Sequence, residues 1–306
     1  MRWKKMGHIF VAIGEYQWAQ SHAYLPTPLI LNGRIRVYLA FLDQDYVGRI
    51  GYVEVSKTDP LKVLKISERP VLDVGKRGSF DEHGVSPACI LRYKGKLLLY
   101  YFGWQREPAP DIPYRLLAGL AESEDGEHFK RVSDGPILQE SKSEPYIRSA
   151  PHVIEKDGRF RMWYVAGRSW IMVKGKQVPS YVIKYMESER EDEWEDKGIP
   201  CIMPSNKDEY GFGRAWVRED KGIYKMWYSI RTISKGYRIG YAESGDGIDW
   251  TRKDNQAGID VSEEGWDSEM ICFPAVINTN GKIYMFYNGN GFGRTGFGVA
   301  ILEEDG

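Results

Sequence analysis

The residues of this chain best suited to chemistry are carboxylates that stand just ahead of short apolar runs. The stretch FDEHGVSPACI (80–90) sets Asp81, Glu82 and His83 before the run PACI. The placement recurs along the chain. Five residues ahead of Pro28, Pro87, Pro151, Arg214 and Pro274 stand Ala23, Glu82, Tyr146, Glu209 and Glu269; six ahead stand His22, Asp81, Pro145, Asp208 and Ser268; seven ahead, Glu144 and Asp267 appear. Carboxylates that face one another raise each other's pKa, which suits a general acid paired with a base or nucleophile. Arg148, Arg214 and Arg231 add planar guanidinium groups able to grip hydroxyls, carboxylates or phosphates through paired hydrogen bonds. Trp104, Trp170 and Trp266, with Asn288 and Asn290, offer flat apolar faces and amides of the kind that hold a sugar ring.

What would bring such distant residues together is a repeat. Five segments each begin with a short apolar run (PLIL, PACIL, PHVI, AWV, PAVI), pass through a tight polar turn and continue into an aromatic strand (IRVYLAF, LLLYYFG, FRMWYVAG, YKMWYSI, IYMFYNG). A third strand follows each. Aligned on Tyr38, Tyr100, Trp163, Trp227 and Phe286, the units are spaced by 62, 63, 64 and 59 residues. A near-constant period with several strands per unit is the mark of a propeller. A fourth strand is visible at 128–138, 193–202 and 249–259, more weakly at 61–72, and is missing after the fifth unit. The opening WKKMGHI resembles WEDKGIP (194–200), so the N-terminal strand is expected to complete the last blade and cover its open edge. Residues 1–306 are thus expected to form one all-β, five-bladed domain of four-stranded antiparallel blades. The turns SEDGEHF (123–129) and SGDGIDW (244–250) resemble the Asp-box turns of sialidase propellers and are expected to be structural, because Asp and Gly suit such turns for backbone reasons.

In a propeller the lead-in to each inner strand shares a face with the loop between its second and third strands. Those loops (42–49, 103–115, 167–181, 229–238 and 288–296) look long and irregular here, as functional loops on a rigid scaffold often are.

Composition excludes several classes. Lys+Arg 42 against Asp+Glu 43 gives a formal net charge of -1, and no basic stripe accompanies the aromatics, so neither nucleic acid nor a membrane is an expected partner. The three cysteines, Cys89, Cys201 and Cys272, are odd in number and lack CxxC spacing, which fits buried thiols in a reducing compartment. The N-terminal run IFVAI is shorter than the roughly 7–15 residues of a signal-peptide core, and a cytoplasmic protein is expected. The five histidines, His8, His22, His83, His128 and His152, show no paired spacing. No cofactor or metal is expected, and an axial ion held by histidine and water is the one metal arrangement left open.

In the number and length of its units, and in the proline-led lead-in to most inner strands, the chain resembles the five-bladed β-propeller superfamily of glycoside hydrolases (families 43, 32, 62, 68 and 130), and most of all family-43/32-like members. The resemblance spans essentially the whole chain and implies a site on the axial face. It carries over no catalytic residue. Where family 43 places an Asp directly before the first inner-strand proline, this chain has Thr27, and the matching positions hold Ser86, Ala150, Gly213 and Phe273. The Trp-Met-Asn-Asp-Pro-Asn-Gly and Arg-Asp-Pro motifs of family 32 are missing, as is the Glu-Asp-Pro-Arg pattern of family 130.

The function expected from these residues and this resemblance is a carbohydrate-active enzyme of glycoside hydrolase type. Asp81, Glu209 and Glu269 would act as general acid and base or nucleophile, with His22 as a proton carrier. Glu82, Arg148, Arg214, Arg231, Trp104, Trp170, Asp267, Asn288 and Asn290 would contact a carbohydrate or glycoconjugate substrate. Adjacent side chains of an extended lead-in face opposite ways, so one of Asp81 and Glu82 should point at the axis, and Asp81 is favoured. Two alternatives remain open: glycosyl transfer or phosphorolysis with arginines holding phosphate, and a non-catalytic glycan-binding propeller.

Overall fold

The computed structural model describes residues 1–107 and 112–303, and the regular secondary structure among them is almost entirely strand. A first strand, β1 (Trp3–Phe10), precedes the meander β2 (Ser21–Ile30), β3 (Arg34–Leu42), β4 (Gly48–Ser56), β5 (Val63–Ile66). Next come β6 (Val85–Tyr93), β7 (Lys96–Arg106), β8 (Tyr114–Ser123), β9 (Lys130–Arg131), then β10 (Ile147–Lys156), β11 (Arg159–Val173), β12 (Lys176–Ser188), β13 (Ile199–Ile202). The meander β14 (Glu209–Asp220), β15 (Ile223–Thr232), β16 (Gly236–Ser244), β17 (Thr251–Arg252) follows, and β18 (Cys272–Thr279), β19 (Lys282–Asn288), β20 (Phe297–Leu302) end the chain. Within each meander neighbouring strands pair antiparallel. A short parallel contact of Ile147 and Arg148 with Leu116 and Leu117 joins the second and third meanders into one eight-stranded sheet. No helix among the described residues is long and apolar enough to cross a membrane.

The first two strands of most units are joined by two-residue turns. Lys94-Gly95, Asp157-Gly158, Lys221-Gly222 and Asn280-Gly281 all have positive φ at both residues. That backbone matches the twist of the flanking strands, and glycine adopts it without a Cβ clash.

The first strands β2, β6, β10, β14 and β18 each contact the next, and β18 contacts β2, which gives a propeller-like ring. Side chains of one first strand bond the backbone of its neighbour. Cys89 Sγ donates to the Val153 carbonyl (3.4 Å), His152 Nε2 to that of Val217 (2.9 Å), and Trp216 Nε1 to that of Val276 (2.7 Å). The Asp-box turns are structural in the same sense. Ser123, Asp125 and the backbone of 126–128 bond one another, and the Gly126 carbonyl then accepts Tyr38 Oη (2.8 Å) from the preceding meander. Gly247 likewise accepts Trp163 Nε1 (2.8 Å).

One expectation needs correction. The stretch 167–181 is not an irregular loop: β11 and β12 continue as a paired ribbon to a turn at Lys174-Gly175, with Trp170 opposite Pro179 and Val173 opposite Lys176. The run Trp170-Ile171-Met172-Val173 is rich in strand formers, and a positive-φ pair closes it, so the chain stays paired.

At the N-terminus, β1 pairs antiparallel with β20, Trp3 opposite Leu302 and Phe10 opposite Phe297, and so becomes the fourth strand of the last sheet. Lys5 on β1 reaches Asp267 at 2.7 Å. Replacing Lys5 by Ala would leave that buried carboxylate without its cation. The expected cost is about 2–3 kcal/mol, below that of a fully buried pair because Lys5 is partly exposed. Urea denaturation of Lys5→Ala checks this, and an unchanged midpoint would mean that the Lys5–Asp267 pair does not help to hold β1 in the last sheet.

Candidate functional site

Three of the carboxylates singled out by the sequence, Asp81, Glu144 and Asp267, share a structural task, and Asp254 joins them. In four meanders the second strand carries a tyrosine at an equivalent position: Tyr101, Tyr164, Tyr228 and Tyr287. Each phenol donates to a carboxylate, and each carboxylate is also paired with a cation. Tyr101 donates to Asp81 Oδ2 (3.0 Å), which Arg131 of β9 also holds (2.8 Å), while Ser79 bonds Oδ1 (2.8 Å). Tyr287 donates to Asp267 (2.9 Å), held by Lys5 of β1. Tyr228 donates to Asp254 (2.6 Å), held by Arg252 of β17 (2.7 Å), which also forks onto Glu209 (2.7 and 2.8 Å). Tyr164 donates to Glu144 (2.9 Å), which pairs with Arg148 (2.9 Å) and Lys184. Burial pushes all four phenols above their ordinary range, so they remain protonated donors.

The third strand makes room for the contact. Opposite Tyr101, Tyr228 and Tyr287 lie Gly119, Gly240 and Gly298. A Cβ on Gly119 would fall 2.4 Å from the Tyr101 ring, and one on Gly240 2.5 Å from that of Tyr228. Opposite Tyr164 stands Lys184 instead, and there the third strand itself supplies a cation.

The expected site residues are therefore scattered. Asp81 and Asp267 are buried in these clasps, as is Arg148. Burial works to raise the Glu209 carboxyl, but Arg252 and Ser205 outweigh it and hold it below the usual range. Glu82 accepts from the Gly78 N–H (2.8 Å) and from Gln105 (3.4 Å). Glu269 is exposed, and its backbone N–H donates to Asn290 Oδ1 (2.8 Å). Asn288 bonds Ala23, Leu25 and Gly296, and so fixes the lead-in of β2. Trp170 sets its edge against Tyr114 at 4.9 Å, and Trp266 packs on Tyr287 at 5.1 Å. Among the described residues no three His, Cys, Asp or Glu side chains converge as a metal site.

What the ring does assemble is a cavity of about 560 Å³ over the first strands. Of the expected residues, His22, Trp104, Arg214 and Arg231 line it. Sequence reasoning missed Tyr114, Tyr181, Tyr237, Phe273, Phe292, His83 and Arg106, which line it too. No Asp, Glu or Lys is among the described residues that do. Six non-glycine lining residues, His22, Leu25, Tyr46, Ala150, Phe273 and Phe292, hold positive φ (65°, 59°, 60°, 47°, 52° and 59°). Such strain costs roughly 1–3 kcal/mol per residue and gathers at functional sites. Burial, helped by the charge of Arg294, lowers His22 to about 4, so its imidazole is neutral near pH 7 and poorly matched to proton transfer there. His83 Nδ1 accepts the Arg106 N–H (3.2 Å).

Two buried arginines line the cavity with no carboxylate at ion-pair distance among the described residues. Arg214 bonds Thr27 Oγ1 (3.0 Å) and the carbonyls of Pro26 (3.0 Å), Phe273 (2.7 Å) and Pro274 (3.1 Å), and burial lowers it to about 9. Arg231 donates to the Pro179 carbonyl (2.6 Å) and lies against the rings of Tyr181 (4.3 Å) and Tyr210 (4.4 Å).

No protein-family profile matches the chain. It is 39% identical over 305 residues to uncharacterized protein Rv1502 of Mycobacterium tuberculosis strain H37Rv, covering 99% of this chain and 100% of that protein. The figures for uncharacterized protein MT1551 of strain CDC 1551 are the same. Solved structures share the fold at lower identity. A glycoside hydrolase superposes with a TM-score of 0.75 at 19% identity, over 97% of this chain and 90% of its own. A thermostable family-43 glycoside hydrolase gives 0.69 at 18%, over 94% and 91%. A protein from work on the GH130 mannoside phosphorylases, and on hydrolases among them that target β-1,2 mannosidic linkages in Candida mannan, gives 0.71 at 17%, over 99% and 94%. The chain thus has the fold of the propeller glycoside hydrolases.

The clasps make a direct prediction. Asp81→Asn keeps the shape of the side chain but removes the charge that balances Arg131, and should cost about 2–3 kcal/mol, discounted because Arg131 is partly exposed. Tyr101→Phe should cost roughly 1.5–3 kcal/mol. The double variant should lose less than the sum, since both break one contact. Urea titrations of the three proteins check this, and strict additivity would mean the clasp is not a unit.

Proposed function

The chain belongs to the same family as uncharacterized protein Rv1502 of Mycobacterium tuberculosis, and from that premise we propose that it is a carbohydrate-active protein, a five-bladed propeller whose axial cavity receives a glycoside. The observation that carries the reading is the cavity itself. It is large enough for a sugar, walled by Trp104, Tyr114, Tyr181 and Tyr237, and furnished with a few polar groups, as carbohydrate and small-molecule sites are. Its place over the ring and the fold of the neighbours support the same site.

Hydrolysis by the usual route needs two carboxylates flanking the bond, roughly 5–9.5 Å apart. The hydrolytic reading assigns these roles to Asp81, Glu209 and Glu269. Asp81 and Glu209 are engaged in clasps, Glu269 is exposed, and none of the three lines the cavity. That observation favours a second reading, recognition of a glycan without two-carboxylate hydrolysis, in which Trp104 and the arginines hold the ligand.

Titrating the full chain with a panel of mono- and oligosaccharides, followed by tryptophan fluorescence and reducing-sugar release, tests both. Saturable binding weakened about tenfold or more by Trp104→Ala is expected, since an aromatic platform typically contributes about 1.5 kcal/mol or more. Folded wild-type protein that binds no saccharide would sink the proposal. Turnover abolished in a folded Glu269→Gln or Glu209→Gln variant would restore the hydrolytic reading over the second.

A further inference from the structure

We propose that the ligand of the axial cavity carries an anionic group, a carboxylate or a phosphate, and that Arg231 with the surrounding tyrosine hydroxyls forms its subsite. The inference rests on the reading of this cavity as a ligand site and names the class of ligand it takes.

The buried cations of the molecule fall into two groups. Five basic side chains are buried among the described residues: Arg36, Arg148, Lys184, Arg214 and Arg231. Arg36 pairs with Glu54 and Glu127, and Arg148 and Lys184 pair with Glu144. Arg214 and Arg231 have no carboxylate within ion-pair distance among the described residues, and both line the cavity, together with the more exposed Arg106. An unpaired buried charge is costly, and proteins normally pair it. A chain with a net charge of -1 has thus concentrated unbalanced positive charge in one place.

Arg214 and Arg231 differ in how fully their nitrogens are committed. Arg214 has its terminal nitrogens occupied by Thr27 and three carbonyls that tie β14 to β2 and β18, so it serves the ring. Arg231 makes one such bond, through Nη1 to the Pro179 carbonyl, against the four of Arg214; the buried Nε of each arginine has no hydrogen-bond partner among the described residues. Tyr181 and Tyr210 lie against its guanidinium, with Tyr237 at 5.6 Å. Aromatic stacking holds the fork in a fixed plane, which suits bidentate recognition of a carboxylate or phosphate. The phenols of Tyr114 and Tyr237, which burial keeps protonated, are further donors at the same wall, and the phenol of Tyr181 is bonded to that of Tyr114.

The test uses calorimetric titration of the full chain with matched pairs: D-glucuronate against D-glucuronamide, and D-glucose 6-phosphate against D-glucose, with inorganic phosphate alone as a fifth probe. At least one anion should bind about tenfold or more tighter than its neutral partner, the scale of one charge-assisted hydrogen-bonded pair. Which pair shows the preference distinguishes carboxylate from phosphate. Arg231→Gln should abolish the preference, and Arg231→Lys should restore part of it. Equal affinities within both pairs, or no binding of any anionic probe at millimolar concentration, would overturn the proposal. Neutral sugars that bind wild type as tightly as their anionic partners would overturn it while leaving the carbohydrate reading intact. Phosphate bound where no sugar is bound would support the anion subsite and reject the carbohydrate reading instead. Should Arg231→Gln fail to fold by circular dichroism, the wild-type pairs decide alone.

Discussion

The structure depends on one repeated contact, a protonated tyrosine on the second strand donating to a carboxylate that a cation neutralises. Each member needs the others. The phenol alone would be a buried polar group, the carboxylate alone a buried charge, and either would oppose folding. Together they fasten loop to sheet. Asp81 and Asp267 lie in the lead-ins to β6 and β18, so the bonds to Tyr101 and Tyr287 fix where those first strands begin. Arg131, Arg252 and Lys5 all come from outermost strands and reach inward past a glycine of the third. Lys5 completes the pattern from the opposite end of the chain, which explains why a strand near the N-terminus belongs in the last sheet.

This use of the carboxylates shapes the chemistry of the axis. A lead-in acid turned into its own sheet cannot also face the ring centre. The cavity is left with aromatic walls, arginines and a neutral histidine, so what it offers to a ligand is ring faces and positive charge. The left-handed backbone at Ala150 and Phe273, each just before a proline, shows that the ring holds these lead-ins against local preference.

Much of this was legible in the sequence, and the misses have physical causes. The period near 63 residues, the polar turns and the lead-ins all follow from a unit that cannot bury its faces alone, so they recur and can be counted. The likeness of the N-terminal segment to a fourth strand also predicted the pairing that β1 makes. The acids were harder. Counting back from the first strands aligned Glu82 with Glu209 and Glu269, yet these three meet a backbone N–H, an arginine fork and solvent respectively. Register gives a position but not a direction. A signal for the clasps was present: a tyrosine one residue after the aligned aromatic in four of the units, with glycine facing it in three of those four. Trp104, Arg214 and Arg231 reach the cavity as expected, but Tyr114, Tyr181 and Tyr237 look like ordinary blade aromatics until the ring is closed.

The arginine at the centre of the ring also bears on what the axis can hold. Histidine spacing alone left room for an axial ion. Arg214 reaches from β14 to carbonyls at the starts of β2 and β18, and those carbonyls are the oxygens a cation at that point would need. A guanidinium there supplies the positive charge itself, fixed by covalent attachment and planar enough to bond several strands at once. It repels a second cation and favours an anion above it. With Arg231 lining the same cavity, and no acid among the described residues that do, the proposed subsite would favour a negatively charged ligand.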